Sequence, residues 1–295
     1  MTKIAFIGLG HMGNPMARRL LAQGQHVSVY DISPQAVAAL AEEGAVGASS
    51  IASAVKDADV IITMLQTGDQ VSQVCLGDEG IFQHAKKGAL CIDSSSIAVE
   101  MSRHLHDRAA SLGYSMLDAP VSGGVLGAES GTLTIMVGGS EDDFQHALPI
   151  LQQLGKKVIH AGPNGNGQAA KICNNMILGI SMIAVSEAFN LAEKLGLDAK
   201  TLFEISSNAS GQCWSMTSYC PVPGLVPTAP SNKNYEPGFT AQMMLKDLRL
   251  SQEAASTVHA QTPLGKAATA LYTQYVDGGE AQKDFSGIIQ MLAEE

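Results

Sequence analysis

The chain has 295 residues, 45% of them hydrophobic and 16% charged, which is enough apolar material for an ordinary core and too little charge for a disordered chain. Eighteen basic residues against 28 acidic ones leave a formal net charge of −10 with no Lys/Arg-rich cluster. That balance argues against nucleic acid or an anionic membrane surface as a partner, because both select basic patches.

From Lys3 to Gly162, short β-branched runs alternate with helical stretches. KIAFIG, HVSVYD, DVIITML, ALCIDS, YSMLDA, TLTIMVGG and KKVIHAG are the strand candidates, and such alternation predicts a mostly parallel sheet covered by helices. After Gly162 no convincing strand remains, and Ala, Leu, Met, Ser and Gln at helical spacing predict an all-α second half. The Pro and Gly of HAGPNGNG mark the boundary, giving an α/β domain over 1–163 and an all-α domain over 164–295. Within the second domain, residues 208–238 carry Pro221, Pro223, Pro227, Pro230 and Pro237 and read as a long irregular loop, of a length that is usually functional or disordered.

Between the first strand and a helix starting near Met12 lies Gly8-Leu9-Gly10-His11-Met12-Gly13, in the GxGxxG order. Its glycines permit a tight turn, close approach to a pyrophosphate, and close helix–strand contact, and the helix start supplies unpaired N–H donors. The second strand ends in Asp31, eighteen residues after Gly13. A carboxylate there accepts ribose hydroxyls and repels a 2′-phosphate, and Ile32, Ser33, Pro34 and Gln35 include no cation to offset one, so NAD is favoured over NADP. Leu65 and Ser96, at two later strand ends, are expected to face the same cofactor, because ligands of open α/β sheets bind beyond the carboxyl ends of the strands.

DAPVSGG, Asp118 to Gly124, follows another strand. The Ser122 hydroxyl and the approachable backbone of Gly123 and Gly124 can hold a carboxylate without a cation, although a plain turn has the same composition. None of the five arginines sits at a strand end. The stretch GNGQAAKICNNMILGISMIAVSE, 165–187, carries no charge between Lys171 and Glu187, too apolar for a surface helix, and it also holds a lysine that a membrane span would disfavour. In a helix starting near Gly167, Lys171 and Asn175 are i,i+4 neighbours on one face. The positive helix end and partial burial would both lower the pKa of Lys171 and suit it to general acid/base work on a hydroxyl. The residues alone leave open a structural lysine that pairs with a carboxylate or reaches the surface.

Cys75, Cys91, Cys173, Cys213 and Cys220 are odd in number with no CxxC spacing, which suggests a reducing compartment. The eight histidines, including His104 and His106, meet no recognised zinc spacing, so they read as surface or packing residues and no metal site is expected. A strand pattern begins within three residues of Met1 without a signal-peptide core, so a cytoplasmic location is expected.

With the GLGHMG turn, DAPVSGG, Gly165-x-Gly-x-x-x-Lys171-x-x-Asn174-Asn175 and Lys246-Asp247 all in order, the chain resembles the β-hydroxyacid dehydrogenase family over nearly its whole length. The resemblance implies a Rossmann-type domain and an all-α domain joined by a long helix, a small 3-hydroxyacid substrate, and a homodimer or homotetramer. It also implies that Lys171 is catalytic, that Ser122, Gly123, Gly124 and Asn175 bind substrate, and that Lys246 approaches the nicotinamide side. Gly211-Gln-Cys-Trp214, Tyr219-Cys-Pro-Val-Pro-Gly224 and Asn234-Tyr-Glu-Pro-Gly-Phe239 look like the long loop of the branch serving valine breakdown. Branches acting on tartronate or succinic semialdehyde generally lack it. Trp214 and Tyr219 could close over a substrate methyl group or simply pack within the loop. Two departures stand out: Gln66 follows Leu65 where the family often has proline, and Ser96 stands where it often has threonine.

Overall fold

The computed structural model describes residues 2–293. Its sheet contains β1 (Lys3–Ile7), β2 (His26–Tyr30), β3 (Val46–Gly47), β4 (Val60–Thr63), β5 (Leu90–Asp93), β6 (Ser115–Asp118), β7 (Val121–Ser122), β8 (Leu133–Gly138) and β9 (Gly155–Gly162). The order is β3-β2-β1-β4-β5-β6-β8-β7, with β9 paired to β8. The first six strands of that order run parallel, β8 is antiparallel to β6 and β7, and β9 is parallel to β8. All seven strand candidates form. β3 and β7 were not anticipated, because two residues are too few for a periodic signal.

Helices α1 (Gly13–Ala22), α2 (Pro34–Glu42), α3 (Ile51–Val55), α4 (Gly68–Leu76), α5 (Ile81–His84), α6 (Val99–Ser111), α7 (Gly124–Ser130) and α8 (Glu141–Leu154) connect the strands. They cover both faces, which explains why the strands read as continuous apolar runs. Alternate residues of β1 go to opposite layers. Ile4 and Phe6 join Met16, Leu20, Ala147 and Leu151, from α1 and α8, on one side. Ala5 and Ile7 join Val71, Cys75, Leu105 and Ala109, from α4 and α6, on the other.

Helix α9 (Asn166–Lys194) is 29 residues long. It is followed by α10 (Ala199–Ser206), α11 (Trp214–Thr217), α12 (Ala241–Thr257), α13 (Pro263–Tyr275) and α14 (Ile288–Ala293), with no strand after β9 among the described residues. Residues up to Lys171 form one compact unit and those from Ile172 on a second, so the division falls within α9, after the Pro/Gly turn that precedes this helix. By length and hydropathy α9 could cross a membrane. Its Met182 and Ile183, however, pack with Met244, Leu248, Tyr272 and Phe285, and its Val185 and Phe189 with Met216, Cys220 and Tyr235, as the core helix of the second unit.

The long loop is folded. It contains the single turn α11 and a 3₁₀ turn, Pro230–Lys233. The Ser231 hydroxyl donates to Cys220 O (2.8 Å) and the Tyr235 hydroxyl to Pro221 O (2.9 Å). Asn232 accepts from Gly224 N–H (2.7 Å) and donates to Val226 O (2.7 Å). Proline removes backbone donors, so side chains take over the cross-links that a ladder would supply elsewhere. Asp284, fully buried, fastens the end of the loop. It accepts from the Tyr219 hydroxyl (2.8 Å), from the N–H groups of Gly238 (3.0 Å) and Phe239 (3.1 Å), and from Ser286 N–H (3.0 Å) and hydroxyl (2.6 Å).

Two stability predictions follow from buried carboxylates. Replacing Asp284 by Ala leaves several buried donors unpaired and should lower the unfolding free energy by about 3 kcal/mol or more in urea titrations; a loss below about 1 kcal/mol would contradict this role. Asp93, at the end of β5, is pushed above its usual value of 3.8 chiefly by burial, against hydrogen bonds from Ser95 and Thr63 that pull it down. A raised folded-state pKa makes its contribution to stability greatest at acid pH, and that contribution is lost as pH rises from the ordinary carboxylate range through the folded value. Asp93→Asn should therefore gain stability relative to the wild type as pH rises above the ordinary carboxylate range, and a pH-independent difference would refute the assignment.

Candidate active site

The carboxyl ends of β2, β1, β4, β5 and β6, adjacent in the sheet, carry Asp31, Gly8, Leu65, Ser96 and Asp118 in that order. The order in which strands are added reverses here: from β1 the chain moves outward through β2 to β3, then crosses back to β4 on the other side of β1. That makes it a topological switch point, where open α/β sheets bind ligands.

The GxGxxG turn has the shape of a phosphate cradle. Gly8 has φ +96°, and a Cβ on it would collide with Met64 O. A Cβ on Gly13 would overlap Gly8 O, so the turn and α1 can touch only through hydrogens. At Gly10 nothing lies within 4 Å of where a Cβ would sit, which leaves its backbone approachable. Leu9 is buried, Gly10 and His11 are exposed, and no side chain caps the start of α1 beyond Met12. A helix start without a side-chain cap, an approachable backbone and a neighbouring carboxylate are the groups a pyrophosphate and a ribose require. The Asp31 carboxylate accepts Leu9 N–H (2.6 Å) and Ser33 N–H (2.8 Å). It therefore also holds the glycine turn in place, and a carboxylate has about four lone-pair sites, so two amides leave capacity for hydroxyls.

Leu65 and Ser96 are half-buried. A buried polar cluster that was not read from the sequence orders these ends. Asp93 Oδ1 accepts the Thr63 hydroxyl (2.7 Å) and the Ser95 hydroxyl (2.6 Å), and Leu65 N–H donates to Ser95 Oγ (2.9 Å). Polar residues ending an apolar strand, as in CIDSS, were the available signal.

The β6 end fixes the start of α9. Asp118, with no exposed surface, accepts Gly165 N–H (2.8 Å) on Oδ1 and Gln168 N–H (2.9 Å) on Oδ2, and His106 Nε2 lies 3.0 Å from Oδ1. This is an N-cap supplied from a strand, charge meeting the positive helix end. Gly167 permits it, since a Cβ there would come within 2.5 Å of both Asp118 O and Met136 O. His106, taken as a packing or surface residue, is thus part of the polar interior. Lys171, 7% exposed, lies three residues beyond Gln168 on the same helical face. Four residues after Asp118, Ser122 in β7 is half-buried, and Gly123 (φ +135°) and Gly124 (φ +64°) turn the chain into α7 with their backbone exposed.

In the second unit, Asn175 is 1% exposed and its amide donates to Asp247 Oδ2 (2.5 Å), while Asn174 donates to Asn175 Oδ1 (3.0 Å). Asp247 Oδ1 accepts no hydrogen bond and lies 3.4 Å from Lys246 Nζ. Asp247, part of the Lys246-Asp247 motif but given no role from the sequence, therefore joins Asn175 to the Lys246 position. Trp214, 50% exposed, stacks on Tyr219 (4.8 Å between ring centroids), which stacks in turn on Phe285 (5.4 Å).

Comparisons with known proteins agree with this geometry. Residues 3–162 match the model for the NAD binding domain of 6-phosphogluconate dehydrogenase, and residues 165–292 match that for the NAD-binding region of NADP-dependent 3-hydroxyisobutyrate dehydrogenase. A probable 3-hydroxyisobutyrate dehydrogenase of Mycobacterium tuberculosis is 46% identical over 99% of this chain and 98% of its own. An NAD-dependent L-serine dehydrogenase of Pseudomonas aeruginosa is 45% identical over the same shares. The solved structure of the Mycobacterium tuberculosis 3-hydroxyisobutyrate dehydrogenase with L-serine superposes with a TM-score of 0.94 at 46% identity, covering 99% of each chain. A nicotinamide-dinucleotide cradle at the switch point, a buried lysine at the start of a 29-residue helix, and identity at this level over the full length place the chain in the 3-hydroxyisobutyrate dehydrogenase family, as a dehydrogenase that uses NAD(P).

Proposed function

We propose that this protein oxidises 3-hydroxyisobutyrate to methylmalonate semialdehyde, the step of valine breakdown, with NAD as the hydride acceptor and Lys171 as general base. The carrying observation is the buried Lys171 on a helix whose start is fastened to the carboxyl edge of the nucleotide-binding sheet through Asp118 and Gln168. Gly8, Leu9, Gly10, His11, Met12 and Gly13 hold the pyrophosphate, Asp31 the adenosine ribose, and Leu65, Ser96 and Lys246 the remainder. Bound NAD supplies a carbon that takes the hydride from the carbinol. Lys171 accepts the hydroxyl proton as that carbon is oxidised and returns it in the reverse direction, keeping the developing oxyanion from standing uncompensated in a buried setting. Ser122 and the backbone of Gly123 and Gly124 hold the carboxylate, Asn175 orients the substrate with an amide set by Asp247, and Trp214 covers its methyl group.

A second reading within the class is supported by the L-serine relatives: serine is also a 3-hydroxyacid, with an ammonium in place of the methyl group. A kcat/KM panel of 3-hydroxyisobutyrate, L-serine and other short 3-hydroxyacids decides between them, and a preference for serine of tenfold or more, about 1.4 kcal/mol, would overturn the first. Lys171→Ala should lower kcat by about 10²–10⁴ with NADH binding nearly intact, and retention of most turnover would refute the role of the lysine. NAD should be preferred to NADP, and Asp31→Ala should narrow that preference while weakening NAD binding, because it removes both the ribose acceptor and the partner of Leu9 N–H. A wild-type preference for NADP would overturn the role given to Asp31.

A further inference from the structure

Gln168 is the one side chain of the first turn of α9 that reaches across to a neighbouring strand end with both of its polar atoms. It has no exposed surface. Its Nε2 donates to Ser95 O (2.7 Å), its Oε1 accepts Ile97 N–H (3.1 Å), and its own backbone N–H donates to Asp118 Oδ2 (2.9 Å). The side chain thus grips the backbone on either side of Ser96, while Ser95 Oγ accepts Leu65 N–H (2.9 Å). Gln168, one turn before Lys171, is therefore hydrogen-bonded to the two neighbours of Ser96, and one of these, Ser95, in turn accepts Leu65 N–H.

We propose that Gln168 is a positioning residue, setting the location of Lys171 relative to the loops after β4 and β5 so that proton acceptor and hydride acceptor are placed by one buried amide. This rests on the reading of Lys171 as the acid/base. Two of the attachments at the start of helix α9 come from distant segments. Asp118 fixes the backbone end of the helix, and a cap alone allows rotation about the cap. Gln168 adds a two-point attachment away from that axis, which fixes the rotation. An amide suits this task, because one atom must donate to a carbonyl and the other must accept from an N–H. Glutamate, of the same shape, would set an acceptor against Ser95 O unless protonated. Alanine would leave Ser95 O and Ile97 N–H without these partners and remove one constraint on the rotation of the start of α9.

Displacements of about 1 Å at a reacting group cost about 10²-fold in rate, so the effect belongs in the chemical step. Gln168→Ala, checked for fold by circular dichroism, should lower kcat by about 10- to 100-fold and raise the primary deuterium isotope effect measured with carbinol-deuterated substrate, because hydride transfer becomes slower relative to product release. Its Kd for NADH should stay within about threefold of wild type, since the glycine turn and Asp31 are untouched. A kcat within about twofold of wild type, or a lower kcat with an unchanged isotope effect, would overturn the proposal, because a reduced fraction of folded enzyme lowers kcat alone.

Gln168→Glu gives a second, fold-independent readout. Its kcat relative to wild type should rise as pH falls, since the protonated acid regains the donor to Ser95 O, whereas a ratio independent of pH would overturn the proposal. Loss of turnover in Lys171→Ala together with wild-type behaviour of Gln168→Ala would remove the coupling and keep the reading of the site. Retained turnover in Lys171→Ala would remove that reading whatever Gln168 does.

Discussion

The Asp118 carboxylate is the constraint on which the site depends. It ends a parallel strand, has no exposed surface, and accepts the first free N–H groups of a 29-residue helix together with a histidine contact. An isolated buried carboxylate would cost several kcal/mol, and charge-assisted hydrogen bonds of about 1.5–3 kcal/mol each offset that cost. The geometry admits few alternatives. The helix start must come close enough for two amides to reach one carboxylate, so position 167 has no room for a side chain, and the helix then passes Lys171 along the carboxyl edge of the sheet.

Around this point the strand ends form a continuous polar layer beneath an apolar sheet. Thr63, Asp93, Ser95 and Gln168 are all buried, and each hydrogen-bonds another member or the backbone between them. Buried polar groups must be paired, so such a layer permits one arrangement of its loops where an apolar layer would tolerate several. The rigidity falls where the proposed proton and hydride acceptors would have to be aligned. Asp93 retains one oxygen without a hydrogen bond and a raised pKa, so the layer is held at some electrostatic cost. In the second unit Asp247 plays a comparable part for Asn175, orienting its amide from the adjacent helix α12.

The fold was legible to the extent that its signals are local. Strand candidates such as KIAFIG and DVIITML are apolar runs of ordinary strand length flanked by Gly, Asp or Ser, and they form as expected, whereas β3 and β7, at two residues each, carry no period. The glycines of GLGHMG were legible for the reason the structure bears out, since side chains at Gly8 and Gly13 would strike backbone atoms. The long loop looked irregular because prolines break the helical pattern. Its order comes from Ser231, Asn232, Tyr235 and Asp284, whose partners lie up to 65 residues away. Gln168 was in plain view in GNGQAAK, yet a glutamine in a helix has no sequence signature for contacts with a strand end about seventy residues earlier.

The sequence by itself determined the class of the molecule: a mostly parallel sheet with a glycine turn at its switch point, a helical second half, and a helix whose only charge before Glu187 is one lysine. These follow from periodicity, glycine sterics and charge, which act between residues close in the chain. Only the tertiary structure decided which polar groups support that lysine. Asp118 could have been a ligand-binding carboxylate or a cap, and Gln168 a surface amide. Their roles are set by burial and by partners brought from distant segments, because a polar group removed from water must bond whatever the fold places beside it.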